Sequence, residues 1–273
     1  MTASRSSVQR LLWKTRSWRD GAIGFVVLFA GWELVARLAK IPRYILPPPS
    51  SIWADFMARY PRMLDAAVTT GGEVVAGYLI SVLVSVPLAV LITYSRPIER
   101  MVLPVIVALQ IIPKIAIAPL FIIWFGFGLA PKLLLVFLLC FFPIVVSATS
   151  GLRSVPSDVL DLARSTGTTE FLIFRKIRFP HALPSLFTGL KVAATLATTA
   201  AIVAEFVASD RGLGYMLLEF NGNLETGLVF ATVIILSFIG VTLYFTVEFI
   251  ERRAVSWHVS QRSRAGENPL IGS

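Results

Sequence analysis

The sequence predicts an all-α membrane protein of six transmembrane helices, and three observations carry that prediction. Of 273 residues, 56% are hydrophobic and only 15% are charged, against about 25% charged in soluble domains. Four runs carry no charge at all: 74–94, 133–152, 192–204 (extended by 182–190 across Lys191) and 226–247. A spanning helix needs ~20 mostly apolar residues. Helices that are apolar all round need an interior that a soluble chain of this size lacks. The third observation is that the basic residues cluster at the ends of the apolar runs instead of forming one face.

Arg5, Arg10, Lys14, Arg16 and Arg19 precede an apolar stretch that starts near Gly21 and continues through Trp32, Leu34, Val35 and Leu38. No small-x-small cleavage site follows, so the stretch reads as an uncleaved first span over 21–39. Pro42, Pro47, Pro48 and Pro49 then force an exposed, extended connection. Ser50 or Ser51 is placed to cap a short amphipathic helix through Tyr60, with Ile52, Trp53 and Phe56 on one side. The second span is predicted over 66–94, with Pro87 tolerated inside it.

Segment 98–128 is too long for one straight span and too short for two, and Pro104, Pro113 and Pro119 interrupt it. At 1.5 Å per residue, 98–113 covers roughly 24 Å. We therefore expect a span that ends near Pro113, then a broken, partly re-entrant stretch through Trp124, Phe125 and Gly126. Irregular backbone at membrane depth is tolerated only where protein or water covers it. The remaining spans are expected at 131–152, 182–206 and 226–250.

Charge sets the orientation. With these spans, sixteen Lys and Arg residues fall on one side and eight on the other, with Lys191 inside a span. The positive-inside rule then places both termini and the 153–181 loop in the cytoplasm. The expected division is a cytoplasmic tail over 1–20, a six-span domain over 21–252 and a cytoplasmic tail over 253–273. The formal charge of +9 is spread as membrane flanks, which excludes nucleic acid as a partner and leaves membrane lipid as one. Cys140 is the only cysteine, and His181 and His258 are the only histidines, so no disulfide and no metal site is expected. No phosphate-cradling loop or nucleophile elbow is present. No cofactor, catalytic residue or enzymatic activity is expected.

The loop over 153–181 has its own design. Pro156 suits the first position of a helix, and Asp158 and Asp161 favour its positive end. Val155, Val159 and Leu162 fall at i, i+4 and i+7 and predict one apolar stripe. Gly167 suits a left-handed C-terminal residue. Thr168 or Thr169 is placed to cap a second helix, with Glu170 at its start, Phe174 and Ile177 on its apolar side and Arg175, Lys176 and Arg178 facing away. Pro180 is expected to end that helix, and Pro184 to begin the fifth span. Pattern alone fits a basic helix pair on lipid headgroups as well as a docking surface.

The spacing Asp161-Leu162-Ala163, three residues, Gly167, nine residues, Ile177-Arg178-Phe179-Pro180 resembles the E-A-A-x3-G-x9-I-x-L-P loop of bacterial ABC-importer membrane subunits. Asp161, Leu162 and Phe179 depart mildly from it. Leu46-Pro47-Pro48-Pro49-Ser50, the stretch from Pro113 to Leu120 with Trp124-Phe125-Gly126-Phe127-Gly128, and Ala204-Glu205-Phe206 with Gly212-Leu213-Gly214-Tyr215 resemble the nitrate/sulfonate/taurine-type branch. The resemblance implies a type I importer permease fold. It also implies a homodimer in the bacterial inner membrane, two copies of a cytoplasmic ABC ATPase that engage Asp161, Leu162, Ala163, Gly167, Ile177 and Pro180, and an extracytoplasmic substrate-binding protein. Hydrolysis would belong to the ATPase. The rival readings are an ion-coupled secondary transporter, which needs ionisable groups that spans four and six lack, and a non-transporting scaffold.

Polar residues in the apolar runs complete the candidates. Gln110 and Lys114 are candidates for the translocation path, or for a helix contact and a snorkelling lysine. Glu205 either lines the path or fixes the outer loop. Glu33 is expected to pair with Arg37, and Glu73 to lie near a helix start.

Overall fold

The computed structural model describes residues 23–255 except 25. The basic residues expected in the N-terminal tail and at 262 and 264 lie outside the described residues. The chain divides into two compact units, Met1–Met63 with Glu219–Val233 and Leu64–Leu218 with Ile234–Ser273. Among the described residues, every regular element is helical.

In the smaller unit, α1 covers 26–38. Its Val26, Val27, Leu28, Leu34, Val35 and Leu38 are exposed, as suits a lipid-facing helix. Glu33 pairs with Arg37, and its carboxylate also accepts from the Ser50 backbone N–H at 3.0 Å and the Ser50 hydroxyl at 2.7 Å. The polar group that was expected to cap the next helix is therefore spent on α1. Helix α2 starts at Pro49, and the Ser51 hydroxyl turns back to the Pro48 carbonyl at 2.9 Å. Arg59 grips Glu225 through two bonds of 3.0 and 2.7 Å, and Arg62 grips Glu219 at 3.0 and 2.6 Å.

The short helix ending at Tyr60 and the span from 66 are one element: α2 runs Pro49–Tyr94, 46 residues, with non-helical angles at Arg59 (φ −126°, ψ 17°). Pro61 explains the kink. It donates no backbone hydrogen bond, and its ring crowds the carbonyl four residues earlier. A kink absorbs this without ending the helix, and Glu73 is left in the middle of α2.

In the larger unit, α3 (Arg96–Ile111) is followed by a 3-10 turn (Lys114–Ile117) and α4 (Ala118–Phe125). The two parts meet at 87°, the broken geometry that the prolines predict. Next come α5 (Leu129–Arg153), α6 (Ser157–Ser165), α7 (Glu170–Ile173), a π turn (Phe174–Arg178) and α8 (Phe179–Ala208), followed along the chain by α9 (Leu213–Gly222) and α10 (Thr226–Ala254), each of which has residues in both units. Four helical stretches among the described residues are long and apolar enough to span a membrane, or five if the bent α3–α4 pair is counted as one span.

Helices α5 and α8 pack closely against each other along the core. Helix α8 buries Ala193, Ala194, Ala197, Ala200, Ala201 and Ala204. A Cβ on Gly189 would lie 2.8 Å from the Pro143 carbonyl, and one on Gly151 would lie 2.9 Å from the Ala182 carbonyl. Small residues let the two backbones touch, which is how helices pack where lipid removes the hydrophobic drive between them.

Candidate functional site: the polar loop and the buried charge cluster

Two regions of the larger unit concentrate polar chemistry. The first is the loop between α5 and α8. Pro156 precedes α6 as its N-cap, one position before its expected place. Gly167 has φ +77°. The Gly167 N–H donates to the Arg164 carbonyl at 2.9 Å, and the Thr168 N–H donates to the Ala163 carbonyl at 3.3 Å. These two bonds close α6 in the Schellman pattern, which needs a left-handed residue at this position. Thr169 stands at the start of α7 without a side-chain cap, while the Thr168 hydroxyl pairs with that of Thr166 at 3.0 Å. The expected capping bond is thus replaced by a bond within the turn.

The apolar stripe differs from the expected one. Val155, Leu160 and Ile173 are buried together, with Ala163 and Ile177 packed against them. Val159 points outward, as do Leu162 (68% exposed) and Phe171 (70%). Helix α6 begins only at Ser157, so Val155 lies outside it and does not share its phase. Arg164 ties the outer face together, reaching Glu170 at 2.8 Å and Asp161 at 3.3 Å. The Glu170 hydrogen bond, and then its charge, raise the Arg164 pKa and hold the guanidinium charged.

Pro180 does not end the second helix. The chain passes from α7 through the π turn into α8, and Pro180 sits in the first turn of α8. The Phe179 N–H reaches back to the Phe174 carbonyl, a five-residue closure that widens the helix where Pro180 has no N–H to donate. The turn rests on the end of α2: Tyr94 packs edge-on to Phe174 at 5.9 Å, and the Arg178 guanidinium lies 5.1 Å above the Tyr94 ring. Of the six expected loop residues, Ala163 and Ile177 face inward together, Asp161 and Leu162 face outward, and a Cβ on Gly167 would meet nothing within 4 Å.

The second region is a buried cluster. Glu205 is fully buried. Its carboxylate accepts from the Thr70 hydroxyl at 2.6 Å and from the Gly214 backbone N–H, and the Thr70 oxygen accepts from the Leu213 N–H at 2.8 Å. Gly212 has φ +109°, and a Cβ on Gly212 or Gly214 would run into the Glu205 side chain. Of the two roles weighed for Glu205, these contacts are those of a staple on the 209–214 turn. The Lys114 ammonium donates to the Gln110 backbone carbonyl at 3.1 Å and lies 4.7 Å above the Phe142 ring, so the contact uses the Gln110 main chain and not its amide side chain. Their contacts are separate from those of Glu205.

Glu73 is not at a helix start. It pairs with Lys132 at 2.6 Å, with side chains 4% and 6% exposed. Burial of this order is favourable only when both charges are matched. A second such pair joins Lys191 on α8 to Glu251 on α10 at 2.7 Å. Beside Glu73 and Lys132 lies a cavity of roughly 700 Å³ bounded by the 127–129 and 209–211 turns.

Glu205→Ala is expected to lower stability by about 2–4 kcal/mol, since it strands the Thr70 hydroxyl and the Gly214 N–H without an acceptor. The check is thermal unfolding in detergent, with Glu205→Gln as the comparison that keeps the shape. An unchanged melting temperature for the alanine variant would remove the staple.

Residues 81–256 match the family described as "Binding-protein-dependent transport system inner membrane component". A probable ABC transporter permease protein of Haemophilus influenzae is 35% identical over 233 residues, covering 85% of this chain and 95% of that protein. The riboflavin transport system permease protein RibX of Chloroflexus aurantiacus is 32% identical over 256 residues, covering 93% of this chain and 94% of its own length. The taurine transport system permease protein TauC of Escherichia coli is 28% identical over 263 residues, covering 92% of this chain and 94% of its own. Among solved structures, a chain of the inward-facing MetNI methionine ABC transporter gives a TM-score of 0.61 at 17% identity, covering 72% of this chain and 98% of that one. At that identity the likeness is one of fold.

Proposed function

This chain belongs to the family of binding-protein-dependent transport system inner membrane components, and from that premise we propose how its parts divide the work of import. The protein is the multi-pass inner-membrane permease subunit of an ABC importer and is not itself an enzyme. Membership sets aside the ion-coupled transporter and the scaffold, and it implies an ATPase and a binding protein as partners. Beyond this, our reading is a six-span type I permease with 21–39 as the first span, flanked by cytoplasmic tails over 1–20 and 253–273. Two copies associate as a homodimer and engage two ATPase subunits on the cytoplasmic side. Twofold pairing is the usual way for one subunit to complete a shared pathway.

We assign the 153–181 loop to ATPase coupling. One observation carries this: Leu162 and Phe171 stand exposed on a short loop whose opposite face is anchored by Val155, Leu160 and Ile173. The open space at Gly167 adds a place for a partner to approach closely. A lipid-surface pair would spread its apolar residues along one continuous helix face, whereas here they sit on two elements joined by a left-handed turn. Asp161 and Arg164 would frame the contact, while Ala163, Ile177 and Pro180 position it. Gln110 and Lys114 remain our candidates for the path, and Glu205 acts through the 209–214 turn.

The test is recovery of the ATPase with the tagged permease in detergent. Leu162→Glu together with Phe171→Glu is expected to cut recovery about tenfold or more, because each buried apolar side chain is worth about 1.5–3 kcal/mol. Insertion of the permease should be unchanged. Equal recovery, with hydrolysis still stimulated by the loaded binding protein, would assign the loop to the lipid surface.

A further inference from the structure

The corner where α2, α3, α5 and the π turn meet, all within the larger unit, carries positive charge that the described residues do not balance. Arg153 at the end of α5 donates to Glu99 at 2.7 Å and to the Ile92 carbonyl at 3.1 Å, which ties α5 to the α2–α3 corner. Arg96 and Arg100 also act on Glu99, so one carboxylate serves three guanidiniums. On the other side of the corner, Phe174 and Arg178 clasp the Tyr94 ring, and Arg175 and Lys176 lie between them in the same turn. Arg96, Arg100, Arg175 and Lys176 are exposed. Among the described residues, neither these four nor Arg178 pairs with a carboxylate at ion-pair distance. By contrast, Arg164 and Arg252 are paired, with Glu170 at 2.8 Å and Glu248 at 2.7 Å.

The surface next to these charges selects the partner. Met101, Val105 and Leu109 are exposed on α3 at i, i+4 and i+8. They form a strip of about 12 Å that begins one residue after Arg100. Leu91, one turn before Tyr94 on α2, is exposed as well. Cations at a membrane boundary draw anionic headgroups, and Tyr94, 42% exposed, is of the residue type that sits at headgroup level. A soluble acidic protein would match the charges but leave the strip bare. Neutral lipid would match the strip but leave the charges unbalanced. A phosphate carried on acyl chains matches both.

We propose that this corner binds an anionic phospholipid, its phosphate among Arg96, Arg100 and the π-turn cations and its acyl chains along α3, and that the lipid braces the root of the 153–181 loop. The π turn joins α7 to α8, so a headgroup held there stiffens the loop from its membrane side and leaves Leu162 and Phe171 uncovered. The proposal does not depend on what meets those two residues.

The test is native mass spectrometry of the full-length permease in a non-ionic detergent, with phosphatidylglycerol or phosphatidylcholine added. Wild type should retain phosphatidylglycerol and release phosphatidylcholine, and excess inorganic phosphate should not displace the lipid. Arg96→Gln with Arg100→Gln, and separately Arg175→Gln with Lys176→Gln, should weaken retention by about fivefold for each cation removed. Arg252→Gln with Arg253→Gln, at the end of α10, controls for charge at large and should change little. Amide hydrogen exchange over 170–178 should slow when phosphatidylglycerol is added to wild type. Equal retention of the two lipids, an equal loss in the control, or displacement by inorganic phosphate overturns the site. Retention without slowed exchange overturns the bracing. Leu162→Glu with Phe171→Glu should bind the lipid as wild type does, so the coupling reading and this one fail separately. Loss of lipid from that variant would move the contact to the outer face of the loop and overturn the proposal.

Discussion

Lys132→Met alone is expected to destabilise the permease by about 3–5 kcal/mol, because it strands the Glu73 carboxylate in a site only 4% exposed. Glu73→Met does the same from the other side. The double substitution is expected to recover most of the loss, within about 1 kcal/mol of wild type, since an apolar pair of similar volume needs neither partner nor solvent. Chemical unfolding in detergent on all four proteins closes the cycle. If the double variant is as unstable as the sum of the singles, the two charges are not coupled and the 2.6 Å contact carries no energy.

Gly167→Asp is expected to abolish uptake while leaving membrane insertion intact. The residue sits at φ +77° with open space around the missing side chain, so any loss comes from the backbone and from the surface that a partner meets. The left-handed conformation costs a side-chain-bearing residue roughly 1–2 kcal/mol, too little to unfold a membrane domain and enough to loosen the end of α6. Asn tolerates this conformation better than most residues. Gly167→Asn should therefore retain more uptake than Gly167→Val, and both should exceed Gly167→Asp. The measurement is solute uptake in whole cells at matched expression. Normal uptake by the aspartate variant would end the role assigned to this turn.

The four long spans were legible because an uncharged run of about 20 residues has few fates other than a membrane helix. The bend after Pro113 was legible for a related reason, since three prolines cannot sit in one straight helix. Errors entered where a local rule was applied across a break. Counting from Val155 placed Val159 and Leu162 in the loop core, but Val155 precedes α6, and Leu160 and Ala163 carry the inward face. Pro180 read as a stop because proline usually is one, and a π turn absorbed it. Helix α9 was missed although Leu213, Met216 and Phe220, all buried, already show the i, i+3, i+7 spacing. The pairing of Glu73 with Lys132 left no local sign, because charges that meet between helices share no periodicity. Nor did the sequence show that Gly212 and Gly214 make room for the Glu205 side chain, because that contact too joins separate helices.

The two buried ion pairs also impose a schedule on synthesis. Lys132 follows Glu73 by 59 residues, and Glu251 follows Lys191 by 60. A ribosome adding about 5–20 residues per second leaves each charge alone for roughly 3–12 s. During that interval α2 carries an unmatched carboxylate and α8 an unmatched ammonium, each costing about 2.5–3.5 kcal/mol at the centre of a span. Neither helix can be regarded as settled in the bilayer when it is first made. Each waits for a later helix to neutralise it, α5 for Glu73 and α10 for Lys191.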